Sequence, residues 1–318
     1  MTTQAECLRT TGFNLTTAVF LAEACAAAYN KVEAQKFASS AGLANFNAFD
    51  ASNVQGFWCA DDKATVLAFR GTSNIGQWIR DVRVLPAAVA WGWAHLGFVQ
   101  GIEEIEARLQ LFDALAKTRP YVWIVGHSLG GALAVIAAAR AKSRGIYTPE
   151  LYTFGQPAVS FAGFADRFDR ELPKRLWRLI NQVDIVPRVP PFYQHCGGPK
   201  HIVRPGVLES LPGLEAAAGG QDGFAAPRKY TQEETLSAII LAPRQSPGTE
   251  SVSSGEIIDE NDPRPLDMLE FGRLQMALGA GDPPGLEGLP LEGALPYFAD
   301  HQISEYIRLL KELRDRQS

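Results

Sequence analysis

The sequence predicts an α/β fold with a mostly parallel central sheet and helices on both faces. Three observations carry this. The β-branched and aromatic run PYVWIV (residues 120–125) passes through a glycine-rich turn into ALAVIAAARAKSR (residues 132–144), which is strand, turn, helix. Two more short strands, at 151–154 and 175–183, each end in a proline-bearing loop, with a helix-like stretch carrying Asp166 and Asp169 between them. Finally, a chain of 318 residues that is 46% hydrophobic and 20% charged has the length and composition of one large globular domain.

The elements follow in order from the N-terminus. Asn14, with Thr16 and Thr17, caps a helix whose Ala18, Leu21, Ala22 and Cys25 recur at helical spacing. Only Arg9 is basic before this apolar run and Glu23 interrupts it, so the segment does not read as a Sec signal peptide; the expectation is a cytoplasmic protein or one exported by a non-Sec route. No run reaches the roughly 18 apolar residues that a transmembrane helix needs. A formal charge of −5 argues against a nucleic-acid partner, which calls for a basic face. Cys7, Cys25, Cys59 and Cys196 form no metal-type pair and read as free or buried thiols. The five histidines have no zinc spacing, so neither a metal nor another cofactor is expected.

At the strand-to-helix turn stands GHSLGG (residues 126–131). G-x-S-x-G alone arises by chance in about one chain in ten of this length. Between a strand and a helix it means more, because the serine of so tight a turn takes a strained backbone and the flanking glycines remove colliding Cβ atoms. The Ser128 hydroxyl then stands at the positive end of the following helix, where developing negative charge is stabilised. His127 lies inside the turn and cannot reach its neighbour's hydroxyl, so it reads as a packing or hydrogen-bonding residue.

A serine hydroxyl needs an imidazole to take its proton and a carboxylate to orient that imidazole. In α/β-hydrolases these follow in the order serine, acid, histidine, so the search runs downstream. Asp184 falls where the strand at 175–183 gives way to the loop IVPRVPP, the expected place for an orienting carboxylate; an Asx-turn that merely ends the strand is the alternative. Asp166 and Asp169, on the apparent helix, are poorer candidates. Of the later histidines, His301 precedes a terminal helix with Ile303, Tyr306, Ile307 and Leu310 on one face, and from there can swing over the serine. His201 and His195, close to the Asp184 loop, remain the other candidates for the base.

With these residues placed, the chain resembles the fungal-type (class 3) lipases of the α/β-hydrolase superfamily. The resemblance rests on FRGT (69–72), WIRD (78–81), HLGF (95–98), GHSLGGALA from Gly126, TFGQP from Thr153, DIVPRVPP from Asp184 and the Asp300-His301 pair, in this order over roughly 15–204 and 296–312. It implies Ser128 as nucleophile, Asp184 as orienter and His301 as base. It further implies an oxyanion hole made by Thr72, through its N–H and hydroxyl, and the Leu129 N–H. Each such donor is worth about 3–4 kcal/mol in the transition state. Arg70 and Asp81 read as structural partners.

Family members often carry a lid after the oxyanion threonine. Ile75, Trp78, Ile79 and Val82 fall at i, i+3, i+4 and i+7, one apolar stripe on a two-turn helix. This helix is either a mobile lid or a surface helix packed permanently on the core. Exposing four such side chains costs about 1.5–3 kcal/mol each, so an open lid would be rare in water and stabilised by a lipid surface. The segment VLPAAVAWGWA (84–94) lines an acyl groove or packs against the core.

Residues 205–295 stand apart. They hold ten of the 20 prolines and 13 of the 29 glycines, and carry a formal charge of −10 against +5 for the remainder. Candidate functional residues lie on both sides, so the segment is an insertion into a single domain spanning 1–318 rather than a linker. Two helix-like pieces lie within it: 230–241, opened by a capping box of Thr231 and Glu234, and 266–278. Three roles suit the insertion: a surface excursion, a cap over the substrate entrance, or a partner-binding element. The expected activity is hydrolysis of acyl-ester lipids, with triacylglycerols, phospholipids cut by an A1 activity, galactolipids and aromatic-acid esters all within reach. A non-catalytic lipid-binding protein on the same scaffold is the alternative from another class.

Overall fold

The computed structural model describes residues 4–51, 53–82, 85–181, 184–203, 256–258, 266, 271, 274–275 and 296–317. Among these, eight strands form one sheet in the order β1-β2-β3-β6-β7-β8-β9-β10. The strands are β1 (Asn45–Asp50), β2 (Gln55–Ala60), β3 (Ala64–Phe69), β6 (Tyr121–His127), β7 (Glu150–Phe154), β8 (Leu176–Asn181), β9 (Gly198–Val203) and β10 (Glu256–Ile258), while β4 (Pro86–Val89) and β5 (Gly92–His95) make a separate hairpin. β3, β6, β7, β8 and β9 pair in parallel; β1, β2 and β10 are antiparallel at the edges.

The parallel centre is covered on both faces, so β3 and β6 are largely apolar, and every residue of β3 is buried. Alternation along β6 sends Trp123 and Val125 to one face and Val122 and Ile124 to the other. On the first face lie α1 (Leu15–Ala27), α2 (Lys31–Ala41) and the terminal helix α9 (Ile303–Gln317). On the second lie α4 (Leu96–Glu104), α5 (Glu106–Ala116), α6 (Leu129–Ser143) and α7 (Ala162–Glu171). Helix α6 follows β6 directly and buries residues all round, which is why its sequence shows no polar stripe.

Local signals act as the sequence predicts. The Asn14 side chain accepts from the N–H groups of Thr16 and Thr17 and opens α1, a cap worth about 1 kcal/mol. Helix α1 packs along α9, with Lys311 bonded to Glu23 at 2.7 Å, so the two ends of the chain close one face together. Among the described residues no disulfide joins the four cysteines, and Cys25, Cys59 and Cys196 are buried. No helix among the described residues is long and apolar enough to cross a membrane.

Three features differ from the sequence reading or refine it. The apolar segment before His95 is the β4–β5 hairpin, which buries Trp91 yet leaves Trp93 exposed. The sheet continues past β8 through β9 and β10, although neither carried a strong strand pattern; β10 comes from the inserted stretch. Of the helix-like piece at 266–278, Phe271, Leu274 and Gln275 are helical; the piece at 230–241, with Thr231 and Glu234, lies outside the described residues.

Candidate active site

Strand β6 ends by delivering His127 and Ser128 into a turn with no slack. Ser128 has φ 56° and ψ −130°, a region costing a non-glycine residue about 1–3 kcal/mol. Neighbouring glycines permit it. A Cβ on Gly126 would lie 2.1 Å from the carbonyl of Gly130, and one on Gly130 would lie 2.3 Å from the Phe69 oxygen. The Ser128 N–H donates to the Phe154 carbonyl at 2.8 Å, which ties the turn to the neighbouring strand. Ser128 thus sits at the N-terminus of α6, whose first backbone N–H is that of Leu129.

Asp184 and His301 meet at the C-terminal edge of the sheet. Asp184 follows β8, and His301 lies between α8 (Pro296–Ala299) and α9. The His301 Nδ1 is 3.0 and 2.9 Å from the two Asp184 carboxylate oxygens, with both side chains buried. Facing a carboxylate, Nδ1 carries the ring proton, which leaves the lone pair on Nε2. The carboxylate is further held by the Val186 N–H at 2.9 Å and by the Tyr306 hydroxyl, which donates to it at 2.8 Å. Burial, with Asp184 beside it, pushes the Tyr306 phenol well above its usual range, so it remains a donor. Gly155, at φ +57°, makes the approach possible: a Cβ there would lie 2.6 Å from Asp184 Oδ2 and 2.7 Å from His301 Nδ1.

The Ser128 hydroxyl and His301 Nε2 are buried, and neither has a hydrogen-bond partner among the described residues. Both ends of a proton transfer are therefore unspent. Beneath them His127 holds the frame, as its place inside the turn suggested. Its Nε2 donates to the His301 carbonyl at 2.6 Å and its Nδ1 accepts from Tyr29 at 2.8 Å, a pattern only neutral imidazole completes. Burial, reinforced by the neighbouring His301, keeps its pKa well below 6.5.

The other sequence candidates separate. His195 bonds the Pro187 carbonyl at 2.7 Å, and His201 is a buried residue of β9. Asp169, on α7, accepts from the Gly197 N–H at 2.7 Å. Arg70 bonds Gln55 and lies 5.4 Å over the Tyr29 ring; Asp81 bonds Gln77 on its own helix. Thr72 is half-buried, and its hydroxyl accepts from the Asn74 N–H at 3.2 Å. The preceding Gly71 is wedged against Ser128, 3.1 Å separating a would-be Cβ from the serine Cβ, which brings the Thr72 loop to the nucleophile position.

The apolar stripe forms α3 (Ile75–Asp81) and turns inward. Ile75 and Ile79 are buried with Ile185, Val186, Val189 and Phe298, and with Leu266, Phe271 and Leu274 of the inserted stretch; Trp78 and Val82 pack on the same cluster. Gln275 Nε2 donates to the Ile79 and Arg80 carbonyls, both at 3.1 Å, satisfying oxygens at the end of the helix. Outside α3 a cavity of about 500 Å³ is lined by Thr72, Trp78, Val82, Leu85, His95 and Leu96 among others; Ser128 does not line it. Among the described residues no three His, Cys, Asp or Glu side chains cluster as a metal site.

Sequence reasoning missed Gly155 and Tyr29, and read Tyr306 only as part of a helix face. TFGQP marked the place of Gly155, but a positive φ and a close approach are not visible in the letters.

A mostly parallel sheet carrying a strained serine turn at a strand end, with helices on both faces, is the architecture of the α/β-hydrolase fold. Comparison narrows the likeness: residues 66–194 match the model of the class 3 lipase family. The chain is 33% identical over 156 residues to a secreted mono- and diacylglycerol lipase 1 of Fusarium solani, covering 46% of each chain. It is 35% identical over 150 residues to a lipase of Rhizomucor miehei, covering 43% of this chain and 41% of that one. It thus spans less than half the length of these curated relatives. Among solved structures, a triacylglycerol lipase described as having a serine-protease triad at its catalytic centre superposes with TM-score 0.54, at 23% identity over 61% of this chain and 82% of that one. Lipase II from Rhizopus niveus gives 0.52, at 23% identity over 59% and 80%. At these identities the likeness is one of fold.

Proposed function

We propose that the protein is a serine ester hydrolase that cleaves fatty-acyl esters such as triacylglycerols through an acyl-enzyme on Ser128. The observation that carries this is the buried Asp184–His301 pair, 2.9 Å apart, with the imidazole's other nitrogen unpartnered among the described residues and the strained Ser128 at the end of β6, at the same edge of the sheet. His301 Nε2 takes the Ser128 proton as the hydroxyl oxygen attacks the ester carbonyl. The Thr72 and Leu129 donors hold the negative charge that develops on the carbonyl oxygen. Collapse expels the alcohol, protonated by His301, and a water activated by the same imidazole releases the acid. Asp184 stays ionised and holds the ring in the required tautomer. No cofactor enters these steps.

In this reading α3 is a lid in its closed position, and residues 266, 271, 274 and 275 make the inserted stretch a cap over it. Support comes from the buried Ile75 and Ile79, and from the unmade bond between Ser128 and His301. Swinging α3 outward exposes the Ile75, Trp78, Ile79 and Val82 stripe, which a lipid surface would cover. A second reading is phospholipase A1, favoured by 26% identity over 165 residues to a phospholipase A1-II 2 of Oryza sativa subsp. indica. Short-chain or aromatic-acid esterase activity uses the same site without the lid. A lipid-binding protein without catalysis has no use for the preserved serine, acid and imidazole.

The test is a hydrolysis panel of nitrophenyl esters, tributyrin, long-chain triacylglycerol and phosphatidylcholine, with Ser128→Ala as blank. Turnover of long-chain triacylglycerol above the blank supports the lipase reading; turnover of phosphatidylcholine alone selects the phospholipase, and none at all favours the non-catalytic protein. On tributyrin, a rate that jumps at the solubility limit supports the lid, and one that stays proportional to dissolved ester counts against it.

A further inference from the structure

We propose that Asn181 is a positioning residue that holds Asp184 and His301 in register from both sides at once. The proposal rests on the triad reading above and adds a residue to it. Asn181 is the last residue of β8 and is completely buried. Its side-chain Nδ2 donates at 2.8 Å to the carbonyl of Asp300, the peptide that enters His301. Its own carbonyl accepts from the Asp184 N–H at 2.9 Å. Its N–H donates at 2.9 Å to the Tyr306 hydroxyl, which in turn donates to the Asp184 carboxylate.

These bonds close a ring: Asn181 to Tyr306, Tyr306 to Asp184, Asp184 to His301, and the peptide before His301 back to Asn181. The ring matters because Asp184 and His301 are 117 positions apart in the chain. Closing so long an excursion constrains its ends weakly, so their geometry has to be fixed locally. Of the four links, the amide of Asn181 is the one by which β8 grips the His301 side directly. The His127 ring grips the other side of the same residue, through the His301 carbonyl.

The residue type fits this task. A carbonyl oxygen demands a donor, so aspartate, which has the same shape, would set lone pair against lone pair. The amide is also half-spent, because its Oδ1 is buried with no partner among the described residues. Burying an unpaired acceptor is unfavourable, and an apolar residue would avoid it. What the amide gains in return is the single bond to Asp300.

The test uses the full chain with Asn181→Ala and the isosteric Asn181→Asp, each assayed on nitrophenyl butyrate and normalised to active sites titrated with a fluorophosphonate. The expected result is a kcat about 10- to 100-fold lower with KM unchanged, because the displaced imidazole does not touch substrate in the ground state. The low-field proton NMR signal of His301 Nδ1–H, bonded to Asp184, is lost or broadened in both variants. A purely structural residue would lower the thermal midpoint and leave kcat per titrated site and the proton signal as in the parent; that result, in either folded variant, overturns the proposal. If the parent hydrolyses no ester, the triad reading falls, and the proton signal alone still decides whether Asn181 sets the pair.

Discussion

The serine turn and the Asp184–His301 pair are the two halves of the proposed site, built by opposite means. The turn is local: six consecutive residues, Gly126 to Gly131, fix Ser128 through sterics, with Gly126 and Gly130 standing where any side chain would strike backbone. The pair is assembled across the chain, and hydrogen bonds from Tyr306, Val186 and Asn181 do the holding. Sterically fixed geometry is insensitive to polar substitutions and intolerant of added volume. Hydrogen-bonded geometry tolerates volume changes nearby but depends on each donor.

The sharpest break in this comparison is Asp184→Asn. An amide in place of the carboxylate turns a donor toward Nδ1 and favours the wrong tautomer, so kcat on a nitrophenyl ester should fall by about 10⁴ while the fold persists. Gly155→Ala comes next and tests the one place where sterics governs the pair. The new Cβ would press on Asp184 and His301 from 2.6 and 2.7 Å at a positive φ, so kcat should fall about 100-fold. An unchanged kcat would show that the pair can shift without loss. Smaller still is the effect of Phe271→Ala with Gln275→Ala, which removes the cluster contact and the cap on α3. Losing the cap bond alone weakens the closed state by about 1 kcal/mol, a roughly fivefold gain in open lid, read as faster hydrolysis of dissolved tributyrin.

The smallest effect is on stability against pH. His127 has its folded pKa depressed below 6.5, so the unfolded chain binds the extra proton as pH falls. The stability associated with His127 is thus intact above about pH 6.5 and lost below it, by up to about 1.4 kcal/mol per pH unit. Thermal midpoints from pH 7.5 to 5 should fall more steeply for the parent than for His127→Gln; parallel curves would contradict this assignment.

The same contrast explains what the sequence disclosed. The serine turn was legible because sterics writes itself into consecutive letters: a β-branched strand, glycines and an Ala-rich helix. Asp184 was legible as the end of a strand, and His301 as the entry to an amphipathic helix. The ring that joins them was not, since Asn181 and Tyr306 are 125 positions apart and nothing in either neighbourhood marks a hydrogen bond. The stripe of α3 was visible at helical spacing. What covers it was not, because Leu266, Phe271 and Leu274 come from the acidic, breaker-rich insertion whose composition hid its few apolar contacts. β9 and β10 were missed for a related reason: GPKHIV and EII are short and mixed in polarity, and only their neighbours in the sheet make them strands.

The most direct measurement for the whole account is covalent labelling with a fluorophosphonate, followed by mass spectrometry of the peptides. The parent should gain one phosphonyl group, on Ser128, at a rate that rises when detergent or lipid is added; Ser128→Ala should gain none, and His301→Ala should react far more slowly. Labelling that is absent, falls on another residue or persists in Ser128→Ala would contradict it.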